Sequence, residues 1–138
     1  MSELSRIGVA IDSELLEKFD ALIGARGYNN RSEAFRDLIR EELVQETWER
    51  PDSQVVGTVT LVYDHHVRLL NERLTDMQHS HFHHILSTLH VHLDHNNCLE
   101  VLVVKGKASV VKKIADALIS TKGVKHGRLI LTSTGIGL

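Results

Sequence analysis

Residues 79–98 read HSHFHHILSTLHVHLDHNNC and hold seven of the chain's ten histidines, ending on its single cysteine. Within them, Leu89-His90-Val91-His92-Leu93 alternates apolar and imidazole side chains. Successive side chains of a β-strand point to opposite faces, so His90 and His92 share one face. After Asp94-His95-Asn96-Asn97 the chain returns as Cys98-Leu99-Glu100-Val101-Leu102. A hairpin with a loop of about five residues sets His92 opposite Cys98 and His90 opposite Glu100. Two imidazoles and a thiolate then make three quarters of a metal site, with His79, His81, His83 and His84 just upstream of it.

The elements around the hairpin give the second half of the chain an order. Val55 to Tyr63 reads as a strand, and residues 65 to 77 as a helix with Val67, Leu70, Leu74 and Met77 inward. Ile85 to Leu93 and Cys98 to Lys105 are the hairpin. Residues 108 to 121 form a helix with Val111, Ile114, Ala115, Leu118 and Ile119 inward, and Val124 to Thr132 is a last strand. The order β-α-β-β-α-β is the ferredoxin-like split motif, with two helices on one face of the sheet. The tail, Ser133 to Leu138, is Gly-rich.

The first fifty residues follow another pattern. Ile7 to Ile11 is a short strand candidate. Asp12 or Ser13 caps a helix to about Ala25, with Leu15, Leu16, Phe19, Leu22 and Ile23 as its apolar stripe. Gly27 suits a left-handed position after it. Asn30-Arg31-Ser32-Glu33 resembles a capping box, opening a second helix to about Trp48 with Phe35, Leu38, Ile39, Leu43 and Val44 buried. A strand and two helices cannot enclose a core alone, so the unit needs a partner, which the same strand of a second chain can supply. That is a ribbon-helix-helix dimer, whose antiparallel ribbon enters the DNA major groove. Arg6, Gly8 and Ala10 would face outward to the bases, and Asn30, Arg31 and Ser32 would offer a helix N-terminus to a phosphate. A dimerisation module or antitoxin-like arm that never touches DNA is the competing reading. The domains expected are thus 1–50, a linker at 51–54 around the only proline, and 55–133, an α+β chain overall.

Composition sets limits. The net charge is −2, and residues 1 to 50 carry seven Lys and Arg against eleven Asp and Glu, so DNA binding must come from a local surface. No apolar run is long enough for a membrane, and the N-terminus lacks a signal peptide's plan. One cysteine excludes an intramolecular disulfide, and the expected compartment is the reducing cytoplasm.

Three segments together resemble one family: the ribbon-helix-helix start, Arg26-Gly27-Tyr28-Asn29-Asn30-Arg31-Ser32-Glu33-Ala34, and the hairpin from His90 to Glu100. They are similar to the NikR family of nickel-responsive transcriptional regulators over nearly the whole chain. The resemblance implies a homotetramer, a dimer of dimers, with DNA-binding heads flanking a core of four ACT-like domains. It implies one Ni(II) per chain, held by His90, His92 and Cys98 of one subunit and His79 of the facing one, with Glu100 and Tyr63 supporting the ligands. Such a closed set suits Ni(II) or Cu(II) in a plane, whereas Zn(II) prefers a tetrahedron. The resemblance also implies repression of nickel uptake through a palindromic operator in double-stranded DNA. Glu33 and Asp37, four apart on one helix, would hold K+ or another cation, aided by carbonyls near Ile119, Thr121 and Val124.

The chain departs from some members. Gly8 and Ala10 stand where several carry threonine or serine on the ribbon, leaving base readout to Arg6, apolar contact and DNA shape. The basic pair some members place after Tyr63 is incomplete, with Val67 before Arg68. Two other readings compete. A nickel storage or delivery protein would use the histidines but not the head. A zinc enzyme would need a substrate pocket that two small domains leave little room for, so no enzymatic activity is expected.

Overall fold

The computed structural model describes residues 3–67 and 70–138. Eight elements follow in order: α1 (Ser13–Ala25), α2 (Arg31–Glu49), β1 (Gln54–Asp64), α3 (Leu70–Ser80), β2 (Ile85–His92), β3 (Asn97–Lys107), α4 (Ala108–Ile119) and β4 (Val124–Thr132). The chain divides into two compact units, Met1–Glu41 and Glu42–Leu138, so the boundary falls inside α2, ahead of the proline.

In the first unit α1 begins where its cap dictates. The Asp12 carboxylate accepts from the backbone N–H groups of Glu14 and Leu15, satisfying two donors the helix cannot. Gly27, at φ 87°, carries the chain out of α1 in the left-handed region. Asn30 then caps α2 through Glu33 N–H at 2.9 Å. Phe19 and Phe35 stack with ring centroids 5.1 Å apart, and Ile23 and Ala34 are buried beside this small core. The expected inward stripes are only partly covered within one chain: Leu15, Leu22, Leu38, Ile39 and Leu43 all remain exposed. Residues 3–12 form no strand, since a ribbon strand needs a neighbour and the single chain offers none among the described residues.

The second unit is the split β-α-β-β-α-β arrangement. Its four-stranded sheet has the order β2-β3-β1-β4, with every neighbouring pair antiparallel. Burial alternates strictly along β1 and along most of β3, so Val55, Val59, Leu61 and Tyr63 share the covered face with Cys98, Glu100, Leu102 and Val104. Helix α4 lays Val111, Ile114, Ala115 and Leu118 on that face, and α3 adds Leu70 and Leu74. Trp48, from the end of α2, completes this core and donates its indole N–H to the Thr132 carbonyl at 2.9 Å. Gly57 lies beneath it, where a Cβ would meet Trp48 at 3.2 Å and the Ile130 carbonyl at 3.0 Å.

The helix expected over 65–77 is displaced toward the C-terminus. Asp64 turns the chain first, its carboxylate accepting from His66 N–H at 2.8 Å, and the helix observed is Leu70–Ser80. Val67, expected inward, is exposed, and Arg68 lies outside the described residues.

Candidate metal centre

The hairpin register is the one its sequence spacing predicts: His92 pairs with Cys98 and His90 with Glu100. The neighbouring ladder pairs Tyr63 with Cys98. Three strands therefore bring Tyr63, Cys98, Glu100, His90 and His92 to one face of the sheet. The Asp94 carboxylate fixes the turn by accepting from the backbone N–H groups of Asn96 and Asn97, both at 2.8 Å, and from the Asn97 side chain. Those bonds, the Asn97 side chain's first, hold Asp94 down to a pKa of about 2.

Cys98 is fully buried, and its Sγ lies 3.4 Å from His92 Nδ1. Burial, and then the carboxylates of Asp64, Glu100 and Asp94, push its thiol up from the ordinary value of 9.0. The second neighbour of the sulfur is His65, with Nδ1 at 3.3 Å, so that the donor atoms of His65, His92 and Cys98 lie within 4.8 Å of one another. No local pattern in the sequence links His65 to Cys98. The signal was the β1–β3 pairing of the split motif, which runs the end of β1 past the start of β3. His65 N–H accordingly donates to the Asn96 carbonyl at 3.1 Å.

His90 stands one step further out. Its ring centroid is 5.1 Å from that of His92, and its Nδ1 is 3.3 Å from the Tyr63 hydroxyl. Tyr63 donates to Glu100, also at 3.3 Å, and Gln78 of α3 donates to the other Glu100 oxygen at 3.2 Å. The buried carboxylate is thus bonded on both oxygens, as a charge out of water requires. Burial and the Glu100 charge push the Tyr63 hydroxyl well above its ordinary range, keeping it protonated and able to donate. His79 follows Gln78 in the last turn of α3 and is exposed. A buried thiol flanked by imidazoles is a donor set of the kind that borderline divalent ions such as Ni(II) and Cu(II) take.

The other expected positions lie in the head. Arg6, Gly8 and Ala10 are exposed, as is Ser32. Arg31 is engaged within the chain: its guanidinium forks onto Asp20 at 2.8 and 2.7 Å, which lowers the pKa of that carboxyl. Asp37 accepts from the Tyr28 hydroxyl at 2.6 Å and pairs with Arg40 at 3.3 Å, and Glu33 is exposed one turn earlier.

A helix pair of the ribbon-helix-helix kind followed by a split α+β domain with a histidine–cysteine centre defines a class, the metal-dependent DNA-binding regulator. Sequence comparison carries this to a family. The NikR C terminal nickel binding domain matches residues 56–132, and the ribbon-helix-helix protein, copG family, matches residues 5–46. A protein of Solibacter usitatus is 78% identical over 98% of this chain and 97% of its own length. Proteins of Geobacter sulfurreducens and Geobacter metallireducens are 64% and 63% identical over the same shares. All three bear the name "Putative nickel-responsive regulator". The chain belongs to the NikR family of nickel-responsive regulators.

Proposed function

We propose that this protein is a nickel-responsive DNA-binding transcriptional regulator, and that Ni(II) is held by His90, His92 and Cys98 of one subunit with His79 of a facing subunit. The observation that carries the reading is the hairpin register, which sets two imidazoles and a buried thiol on one face beside a family match spanning head and sensor. One ion per chain is expected. Tyr63 and Glu100 act as supports: the hydroxyl next to His90 orients that ring, and Glu100 orients the hydroxyl.

The working unit in this reading is a homotetramer, a dimer of dimers in the cytoplasm. Residues 1–50 form the DNA-binding head, 51–54 the linker and 55–133 the sensing and tetramerisation domain. The exposed Leu15, Leu22, Leu38, Ile39 and Leu43 support pairing of the heads, because apolar surface of that extent calls for a cover. Paired strands 7–11 present Arg6, Gly8 and Ala10 to a palindromic operator, with Asn30, Arg31 and Ser32 at the phosphates. Nickel binding favours the operator-binding arrangement and represses nickel uptake. Glu33 and Asp37 form a second cation site, for K+ or a similar ion. A storage or delivery protein would have no use for the head that residues 5–46 match.

The test is a titration of Ni(II) into the apo protein followed by ultraviolet and visible absorption, with Cys98→Ala alongside. One equivalent per chain and a thiolate charge-transfer band absent from the variant are expected, with operator binding that requires the metal. Binding indifferent to Cys98 would refute the assignment.

A further inference from the structure

The end of the sheet away from the metal centre holds an open cavity of about 560 Å³. It lies at the Gln54 end of β1, whereas Cys98 pairs with Tyr63 near the other end, about 30 Å of strand away. Backbone bonds fix its walls. Lys105 N–H donates to the His84 carbonyl at 2.8 Å, and the N–H groups of Ala108 and Ser109 donate to the carbonyls of Ser53 and Pro51. The His84 ring lies against Gly106, where a Cβ would come within 2.7 Å of Nδ1. That nitrogen is 3.2 Å from the Lys105 carbonyl oxygen. A carbonyl only accepts, so Nδ1 carries the hydrogen, and a proton taken at Nε2 makes that nitrogen a donor too. Leu86 and Val110 give the cavity an apolar side. His83, His84, Lys105 and Lys107 are basic, and among the described residues no acidic side chain lines it. In a chain with eighteen Asp and Glu and a net charge of −2, that segregation is local. Asp52, which does not line the cavity, approaches Lys107 Nζ at 3.9 Å with its side chain 91% exposed, so water screens the pair.

We propose that this cavity binds a phosphate-bearing small molecule, with the phosphate on Lys105, Lys107 and His84 and the organic part against Leu86 and Val110. Charge decides the sign of the ligand: two ammonium groups beside imidazoles, with no carboxylate among them, favour an anion. The donors decide its shape. Lysine ammonium groups are point charges that suit a tetrahedral oxyanion, whereas a planar carboxylate is matched by the arginine fork, and no arginine lines the cavity. Size decides the rest. A volume of about 560 Å³ falls in the range of small-molecule sites, about 300–1,000 Å³, and leaves room beside a phosphate for an apolar group to cover Leu86 and Val110. Lys107 also precedes α4, whose first turn has no acidic residue, so the helix end adds positive potential although its first two N–H groups are already bonded. None of the lining residues belongs to the proposed nickel ligands, so the site stands without the metal reading.

The experiment titrates phenyl phosphate into the full apo chain by calorimetry in chloride buffer, with phenol and inorganic phosphate as comparisons. One saturable event per chain is expected, absent with phenol and competed by inorganic phosphate. Lys105→Gln/Lys107→Gln should weaken it at least about tenfold, as loss of two charged donors does. Leu86→Glu, at an exposed position where folding is not at stake, should abolish it by setting a carboxylate at the rim. Thermal midpoints check that both variants fold. The absence of a saturable event, binding undiminished in the two variants, or phenol bound as well as phenyl phosphate each overturns the site. Non-operator duplex DNA decides the source of the phosphate. At about 0.15 M salt its affinity for the double lysine variant should stay within about twofold of the wild type, because exposed charges off the DNA path are screened. A loss of duplex affinity that parallels the loss of phenyl phosphate overturns the small-molecule assignment and gives the cavity to the DNA backbone.

Discussion

Nickel affinity should rise steeply with pH, and the slope follows from where Cys98 sits. The thiol is fully buried and faces three carboxylates, Asp64, Glu100 and Asp94, so its pKa stands above 9.0. Near neutral pH it is therefore protonated, and only the thiolate ligates a metal. Each ion bound at the hairpin must displace that proton. One proton released per ion makes affinity climb about tenfold per pH unit, or about 1.4 kcal/mol, until the thiol range is reached. The sign is fixed: acid competes with nickel for the sulfur, and alkali assists it. Competition against a chelator of known pH dependence, read at the thiolate band between about pH 7 and 8, measures the slope. Titrations in two buffers of different ionisation enthalpy count the protons directly. An affinity that is flat across this window would mean that no thiol proton leaves, and that Cys98 is not a ligand.

Three further outcomes are expected. Tyr63→Phe removes the hydroxyl between His90 and Glu100 and should weaken nickel binding about tenfold, as loss of an outer partner does, and lower stability by about 1–3 kcal/mol in urea unfolding because one oxygen of the buried Glu100 loses its donor. Trp48→Ala empties the buried corner under Thr132 and should destabilise the second unit by about 3–5 kcal/mol in urea unfolding. Asp94, held at about 2 by Asn97 and Asn96, favours the ionised form in the folded chain. Its contribution to stability is present above the ordinary carboxylate value of 3.8 and lost as pH falls toward about 2, so amide exchange at the hairpin tip should show opening in that window, and Asp94→Ala should abolish the dependence.

Local features were legible in the sequence where the physics that sets them is local. The alternation of Leu89 to Leu93 and the Asp94-His95-Asn96-Asn97 turn determine a register that the structure repeats pair for pair. The Asp12 cap and Gly27 mark the ends of α1 for the same reason. What escaped the reading depends on contacts distant in sequence. His65 is 33 residues from Cys98 and reaches it only because β1 and β3 are neighbours. Arg31, at the start of α2, pairs with Asp20 on the preceding helix, a contact that no local pattern in the sequence indicates. Apolar spacing sets the start of α3 too early, because it cannot register that the Asp64 carboxylate accepts from His66 N–H and turns the chain first. Leu38 and Ile39 show the remaining limit: periodicity marks an apolar stripe but does not say which chain covers it.

The place of the hairpin in the sheet bears on why such a site can regulate. The strand order puts β2 at an edge, so His90 and His92 are exposed while Cys98, one strand inward, is buried. A site with the same affinity for nickel in every assembly would shift none of them. Donors on an edge strand are open on one side, and affinity there is highest in the arrangement that supplies another donor. The difference in affinity between arrangements is the coupling free energy, and it acts equally on metal binding and on assembly. His79, exposed in the last turn of α3, is the donor that the proposed reading assigns to a neighbouring subunit. Gln78, the residue before it, is bonded to Glu100, so α3 is linked to the centre of its own chain through the same turn that presents His79 to another. In the proposed reading, metal binding that tightens the Tyr63–Glu100–Gln78 chain would also fix the end of α3 that carries His79. Occupancy of the centre and the order of α3 would then be one equilibrium, and amide exchange along α3 that is the same with and without nickel would refute it.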